Sequence, residues 1–453
     1  MEKDIVIDMP ENANKIITTL EEAGYEAYIV GGCVRDSILG KKPEDWDITT
    51  SATPDKVKAL FKRTIDTGIK HGTVTVMFGK EGYEITTYRV DGKYSDHRRP
   101  DKVEFTASLK EDLMRRDFTI NAMAYSHKDG IIDLFGGMSD LENGIIRAVG
   151  NPAERFDEDA LRILRAIRFS GQLDFAIERD TRQAMIIRAP YLSKISAERI
   201  RVELDKLLVS AHPEKLIDAY VMGITAYILP EFDKMMEQPQ NNPYHKYNVG
   251  VHTIEAVKAI EPTSVCRWAA LLHDVGKPAC HTVDADGVDH FKGHDKEGEK
   301  IARKVLKRLR FDNARADMIC RIVSWHDYAM GCCPKKSKFR KALNEMGPDF
   351  FPMVLKIRRA DIAAQSDYKR NMKLENAAKM ESMYNEIIEN GDCLSIKDLA
   401  ITGSDLIKLG MKPGKELGEL LNELLTRVLE NPSLNNKTTL TDIARTKINK
   451  AEN

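Results

Sequence analysis

Apolar residues recur at helical spacing over Asn12–Ala23 and then condense into a short run, Ala27-Tyr28-Ile29-Val30, that ends at Gly31-Gly32. A brief apolar run closed by glycine predicts a strand, and the following CVRDSIL predicts a short helix. VTVMF (74–78), YEITTYRV (83–90) and KVEFTAS (102–108) alternate as further strands, and GIIDLFGG (130–137) closes this region. From Asn151 onward the period changes. Leu, Ile and Ala return at three- and four-residue steps against charged faces, which predicts helix almost throughout. Breaks fall near Ala189-Pro190, over 238–248, at Gly331–Pro334 and at Asn390–Asp392, and no fixed-period repeat is present. The pattern predicts an α+β chain: an α/β head followed by an all-helical neck, body and tail.

Composition narrows the class. The 453 residues carry 69 Lys+Arg against 70 Asp+Glu, a net charge of -1, with 42% apolar and 31% charged residues. These are globular proportions. No window of 18 consecutive apolar residues occurs, so no membrane span is expected. The early acids of MEKDIVIDMP do not form a signal peptide's apolar run. The seven cysteines, at 33, 266, 280, 320, 332, 333 and 393, are scattered without a Cys-x-x-Cys. A reducing, cytoplasmic setting is the expectation. Any nucleic-acid site must be a local basic surface, because the overall charge balance supplies none.

Within the head, Gly31 and Gly32 let the backbone approach a phosphate closely, and Arg35 adds a cation suited to a triphosphate. Asp45 and Asp47 stand two apart in PEDWDITT, so on a strand they would share a face. Paired carboxylates repel unless a cation sits between them, and an all-oxygen set suits Mg²⁺. A third carboxylate is expected on a neighbouring strand, where Glu84 fits. Three carboxylates around two ions form a clamp for in-line phosphoryl displacement. This pattern resembles the nucleotidyltransferase superfamily that includes DNA polymerase β and the poly(A) polymerases.

The neck segment RFDEDALRILRAIRF (155–169), read as one helix, aligns Glu158, Arg162 and Arg165 along a stripe, with Asp159 and Arg168 beside it. An Asp acceptor and an Arg donor side by side can match the amino group and ring nitrogen that cytosine and adenine share. Uracil and guanine would leave both groups facing their like, at about 1–3 kcal/mol for each unpaired polar group. Asp159 with Arg162 could therefore select CTP and ATP without a template.

GGCVRD, DWD, RVDGKYSDHRRPDKVEF, RRDFTINAMAY, DLFGGMSDLENGIIRAVGNP and RFDEDALRILRAIRF occur in the order seen in the bacterial (class II) CCA-adding tRNA nucleotidyltransferases. The chain resembles that family most densely over about 20–210. The resemblance implies a polymerase β-like head and assigns Asp45 and Asp47 as metal ligands. It makes Gly32, Arg35 and Arg116 triphosphate contacts, Asp117 the contact to the sugar, and Asp159 and Arg162 the base readers. Arg165 and Arg168 complete the nucleotide site. SAERIRVELDKLL (196–208) resembles the helix bracing the neck, and GKYSDHRRPD (92–101) resembles the loop that full CCA-adding enzymes use in switching from C to A.

A second series, His252, His273-Asp274, His294, His326 and Asp361, resembles the HD phosphohydrolases. By that resemblance His252, His273, Asp274 and Asp361 form a core divalent-metal site, and His294 and His326 complete a second position. Mixed imidazole and carboxylate ligands leave the metal open among Mn²⁺, Fe, Ni²⁺ and Mg²⁺. Two further features suggest RNA contacts: the turn around Gly410, Pro413 and Gly414, and the basic run Lys335, Lys336, Lys338, Arg340 and Lys341.

The expected organisation is a catalytic head (1–150), a base-reading neck (151–210), a body (211–390) carrying an HD domain over about 245–370, and an RNA-binding tail (391–453). The expected activity is addition or repair of the tRNA 3′-terminal CCA with CTP, ATP and Mg²⁺, with the tRNA 3′ end as partner and no obligate protein partner. A poly(A) polymerase and an RNA-binding HD phosphohydrolase with an inactive head are the alternatives.

Overall fold

The computed structural model describes residues 5–92, 103–329 and 332–451. The chain divides into two compact units, Met1–Pro230 and Glu231–Asn453.

The first unit begins with nine strands: β1 (Ala27–Val30), β2 (Ile48–Thr50), β3 (Thr64–Gly68), β4 (Thr73–Phe78), β5 (Glu81–Thr87), β6 (Arg89–Asp91), β7 (Val103–Phe105), β8 (Met123–Ser126) and β9 (Gly130–Asp133). Seven form one sheet in the order β3-β4-β5-β2-β1-β8-β9. Only β2 and β5 run parallel, with Ile48 opposite Ile85 and Thr49 opposite Thr86. Ile48, Ile85, Val74 and Val76 are buried, which fixes register because a one-residue slip would turn them to solvent. The opposite face of β4 and β5 is left to Thr75 and Glu84, which are direct cross-strand partners. Helix Glu11–Glu22 buries Ala13, Ile16, Ile17 and Leu20.

The sequence reading differs from the fold in identifiable places. β2 and β8 are fully buried and only three and four residues long, too short to show a period. KVEFTAS contributes only β7, which pairs with β6 outside the main sheet. Within the stretch read as helix, Ala176–Ile177 forms a short strand that pairs in parallel with Ile145–Ile146 of the preceding head segment. The neck helix is not continuous. Pro152–Glu158 ends at Asp159, whose φ of -140° and ψ of 101° are extended, and a new helix runs over Leu161–Leu173. The segment 93–101, which carries nearly all of the expected switching loop, lies outside the described residues.

Among its described residues the second unit is helical apart from one small hairpin, Thr282–Val283 with Asp289–His290. Helix Val249–Ala259 packs along Phe351–Ala364, and His294–Arg308 packs along Asn313–Trp325. Among the described residues no helix is long and apolar enough to cross a membrane.

One close approach in this unit controls the rest. A Cβ added at Gly276 would lie 2.2 Å from the His294 carbonyl oxygen and 2.6 Å from the Gly298 nitrogen. Backbone cannot yield as a side chain can, so the turn after His273-Asp274 meets helix His294–Arg308 only because residue 276 lacks a side chain. Gly276→Ala should destabilise the second unit by about 1–3 kcal/mol, the usual cost of overpacking. Denaturant unfolding followed by Trp fluorescence checks this. Wild-type stability in the variant would show that the contact does not constrain the fold.

Candidate functional site

Gly31, with φ 84°, opens the turn from β1 into helix Gly32–Ile38. The Arg116 guanidinium lies across it, so that a Cβ at Gly31 would meet Arg116 Nη1 at 3.1 Å. The helix has only seven residues, which leaves the cradle's positive charge to side chains. Gly32, Arg35, Asp45, Asp47, Arg116, Asp117, Arg165 and Arg168 all line one cleft of about 720 Å³.

A buried relay ties the cleft together. Arg35 Nη1 donates to Asn121 Oδ1 at 2.7 Å, Asn121 Nδ2 donates to Asp117 Oδ1 at 3.1 Å, and Arg165 Nε donates to Asp117 Oδ2 at 2.7 Å. Burial alone would raise the Asp117 carboxyl, but Arg165, with help from Asn121 and Arg162, holds it down at about 2. Asp117 is therefore an anion that orients arginines. Phe169 sits among three guanidiniums, with Arg35, Arg165 and Arg168 at 5.0, 5.5 and 3.9 Å from its ring centroid. The ring's negative face stabilises each cation. Arg168 also pairs with Glu203.

Asp45 and Asp47 lie just ahead of β2, not on it. They still converge, because the Val30 amide donates to the Asp47 carbonyl at 3.0 Å and fixes the approach to the strand. Loss of solvent around its carboxyl raises Asp47, with Asp45 adding to the effect and Arg116 opposing it. Glu84 on β5 is raised by desolvation, then by Asp47 and Asp45. It lines a neighbouring cleft that shares Asp45 and Asp47. The all-oxygen donor set of Asp45, Asp47 and Glu84 fits Mg²⁺, although among the described residues the ligand atoms lying within 4.8 Å of one another belong to two triplets of the second unit and not to these three.

Asp159 and Arg162 do not line the nucleotide cleft. Asp159 accepts from Arg199 Nη1 at 3.2 Å and Nη2 at 2.6 Å, and its Oδ1 also accepts the Leu161 amide at 3.1 Å. Arg162 pairs with Glu158 and donates to the carbonyls of Arg155 and Arg115. The helix break at Asp159, not a common helical stripe, brings the two into one neighbourhood.

In the second unit, His252, His273, Asp274, His294, His326 and Asp361 are all buried. Two triplets, His252-His273-Asp274 and Asp274-His294-His326, each bring their ligand atoms within 4.8 Å of one another. Asp274 belongs to both and is placed to bridge. Asp361 Oδ1 lies 3.0 Å from His252 Nε2. Nδ1 of His273, His294 and His326 faces the carbonyl of residue 270, 291 and 323 at 2.7, 2.9 and 2.6 Å. Donation there leaves each Nε2 as a lone pair pointing inward, the tautomer a metal requires. His294 Nε2 and His326 Nε2 face each other at 3.1 Å. Burial, then His273, lowers His326 to about 4, and burial lowers His294 as well. Near neutral pH neither carries the extra proton that would join them. Two lone pairs at this distance fit a cation between them, with Nε2 of His252 beside Asp361 at 3.0 Å and Nε2 of His273 beside Asp274 at 3.2 Å.

Several participants escaped the sequence reading. Asn121, Phe169, Arg199 and Glu203 carry no motif chemistry of their own and matter through partners far along the chain. Lys277 Nζ sits 2.7 Å from Asp274 Oδ2 and 2.7 Å from Gln240 Oε1. His245 is held at about 2 by burial, then by Lys277 and His252. The basic run at 335–341 is largely paired within the protein: Lys336 with Glu386, Arg340 with Asp392 and Lys341 with Glu430.

The comparisons with known proteins agree across the chain. Residues 27–147 match the family described as "Poly A polymerase head domain" and 174–236 its "RNA and SrmB-binding site of polymerase A". Residues 244–341 match the HD domain, and 296–444 match "tRNA nucleotidyltransferase domain 2". The CCA-adding enzyme of Levilactobacillus brevis is 37% identical over 433 residues, covering 95% of this chain and 96% of its own. That of Ligilactobacillus salivarius is 37% identical over 456 residues, covering 97% and 98%. The crystal structure of the Bacillus stearothermophilus CCA-adding enzyme with CTP superposes with a TM-score of 0.71 at 30% identity, covering 98% of this chain and 99% of that one.

The raised carboxyls make a stability prediction. Asp47 and Glu84 hold protons above their ordinary values of 3.8 and 4.5 in the folded chain. The unfolded chain has lost those protons there, so metal-free stability falls as pH rises through that window. Asp47→Asn removes one of the crowded charges. It should raise the unfolding midpoint of the metal-free first unit at neutral pH and flatten its acid-side pH dependence, both read by calorimetry in chelator. A lowered midpoint would contradict the charge-crowding account.

Proposed function

The chain belongs to the bacterial class II CCA-adding tRNA nucleotidyltransferases, and we propose how its residues divide the family's work. The enzyme adds the 3′-terminal CCA of tRNA from CTP and ATP without a template, by two-metal nucleotidyl transfer, and carries a separate His/Asp cluster of HD type. In the proposed division the head spans 1–150, the base-reading neck 151–210, the body 211–390 with its HD domain over about 245–370, and the tail 391–453. The protein works in the cytoplasm, where its seven free cysteines stay reduced.

One observation supports the head's roles best: Asp45 and Asp47 face a cleft whose other wall is Arg35, Arg116, Arg165 and Arg168. The arginines hold the triphosphate, Gly31-Gly32 lets it approach the backbone, and Asp117 orients Arg165 and receives the sugar. Asp45, Asp47 and Glu84 hold Mg²⁺, which when bound activates the attacking hydroxyl and stabilises the pyrophosphate that leaves. Asp159 and Arg162 read the base. Arg199 fixes the plane of the Asp159 carboxylate, and Arg162 exchanges its Glu158 and carbonyl partners for the base edge.

The direct test supplies tRNA lacking CCA with labelled CTP and ATP. Two C and one A, then arrest, is the expected product. Long A tracts from ATP alone would indicate a poly(A) polymerase, and no incorporation would indicate an inactive head. Asp159→Ala should lower overall activity and reduce the kcat/KM preference for CTP over UTP by about tenfold, the scale of one unpaired buried polar group. Unchanged discrimination would assign base reading to another pair.

A second reading concerns the HD cluster, and the facing Nε2 lone pairs of His294 and His326 favour it. The cluster holds divalent metal and hydrolyses a phosphoester, with the metal supplying an activated water. His273→Ala combined with Asp274→Ala should abolish hydrolysis of 2′,3′-cyclic or terminal phosphates on RNA ends while CCA addition stays near normal. If wild type supplied with Mn²⁺, Ni²⁺ or Mg²⁺ in turn cleaves no phosphoester, the cluster has no hydrolytic role.

A further inference from the structure

Asp45 and Asp47 are shared by two clefts of opposite character. The first is the arginine-rich cleft described above. The second, of about 790 Å³, includes Trp46, Thr67, Thr75, Glu81 and Glu84 in its lining, together with the two aspartates. A triphosphate suits the first and is repelled from the second, where carboxylates outnumber cations. The group that suits the second is uncharged at its reacting end, offers hydroxyls, and carries a flat apolar ring that Trp46 can face.

The floor of this second cleft is the open face of β4 and β5. Glu84 and Thr75 are cross-strand partners there, and Gly82, two residues before Glu84, adds no side chain. A Cβ at Gly82 would meet Thr75 Cγ2 at 2.9 Å. The Thr75 hydroxyl pairs with the Thr67 hydroxyl at 2.9 Å. In such a pair one hydroxyl donates to the other, which leaves one free O–H and several unused lone pairs. A ribose 2′-hydroxyl is also both donor and acceptor. Thr67 is exposed while Thr75 is buried, and both line the cleft, so a ligand reaches the pair from the Thr67 side.

We propose that the second cleft seats the terminal ribonucleoside of the acceptor RNA, and that the Thr67–Thr75 pair recognises its 2′-hydroxyl. The inference rests on the nucleotidyl-transfer reading of the head and adds residues that select the acceptor's sugar. The attacking 3′-hydroxyl then lies on the Glu84 side of the aspartates, opposite the triphosphate, as in-line displacement requires. Thr67 and Thr75 act as specificity residues and take no part in the chemistry.

The test uses the full-length enzyme, CTP, and two tRNA acceptors that differ only in a ribose or 2′-deoxyribose at the last nucleotide. Wild type should favour the ribose acceptor by about fivefold or more in kcat/KM, expressed mainly in acceptor KM, the scale of one or two neutral hydrogen bonds. Thr67→Val combined with Thr75→Val should bring that ratio near one and leave the KM for CTP unchanged. Thr67→Val alone, at an exposed position that does not burden folding, should reduce the ratio partway, and the double Ser variant should restore it. A wild type indifferent to the sugar, or a Val variant that keeps the preference, overturns the proposal. A wild type that adds nucleotide to neither acceptor overturns the nucleotidyltransferase reading instead.

Discussion

Three carboxylates, Asp45, Asp47 and Glu84, line one cleft of the head. Arg116 offsets Asp47 in part, yet Asp47 and Glu84 both remain harder to ionise than free side chains. The sheet enforces this crowding. Parallel pairing of β2 with β5 places the approach to β2 beside Glu84, and burial of Ile48 and Ile85 prevents a register slip that would separate the acids. The arrangement costs stability without metal and acquires its purpose with it. Arg35, Arg165 and Arg168 gather around one phenyl ring in the adjoining cleft, each oriented by a carboxylate, Asp36, Asp117 and Glu203 in turn. Acids and arginines in one cleft thus call for the two halves of a metal–nucleotide complex.

The second unit applies the same constraint with different atoms. Carbonyls at residues 270, 291 and 323 fix the imidazole tautomers and turn the Nε2 lone pairs of His273, His294 and His326 inward. Gly276 then lets the turn carrying His273 and Asp274 close onto the helix that begins at His294. Backbone packing holds the cluster together alongside its ion pairs, Asp274 with Lys277 and Asp361 with His252. The ligand types differ between the centres, all carboxylate in one and mostly imidazole in the other, so their metal preferences differ too.

Sequence spacing carried the chemistry that is local and failed where function depends on distant partners. The Gly-Gly turn, the Asp-x-Asp and the His-Asp pair each state their chemistry within a few residues; Gly31, Gly32, Asp45 and Asp47 line one cleft, and Asp274 without His273 lines another in the second unit. The extended backbone at Asp159 broke a helix whose apolar period runs through it unbroken, because period reports burial and not φ and ψ. Arg199 contacts Asp159 across 40 residues, and Asn121 bridges Arg35 to Asp117, with 86 residues separating it from Arg35. No local pattern marks such pairs. The basic run at 335–341 shows the same limit: its charge is visible in the sequence, but its pairing with Glu386, Asp392 and Glu430 is not.

A divalent-metal site completed by a nucleotide, as proposed for the head's acids, is tested most directly in a crystal of this enzyme grown with Mn²⁺ and a non-reactive CTP analogue, read by anomalous scattering. Manganese peaks are expected between Asp45, Asp47 and the triphosphate, with Arg35, Arg116 and Arg165 on the phosphates. An analogue bound in the arginine cleft with no anomalous peak at the aspartates would contradict it.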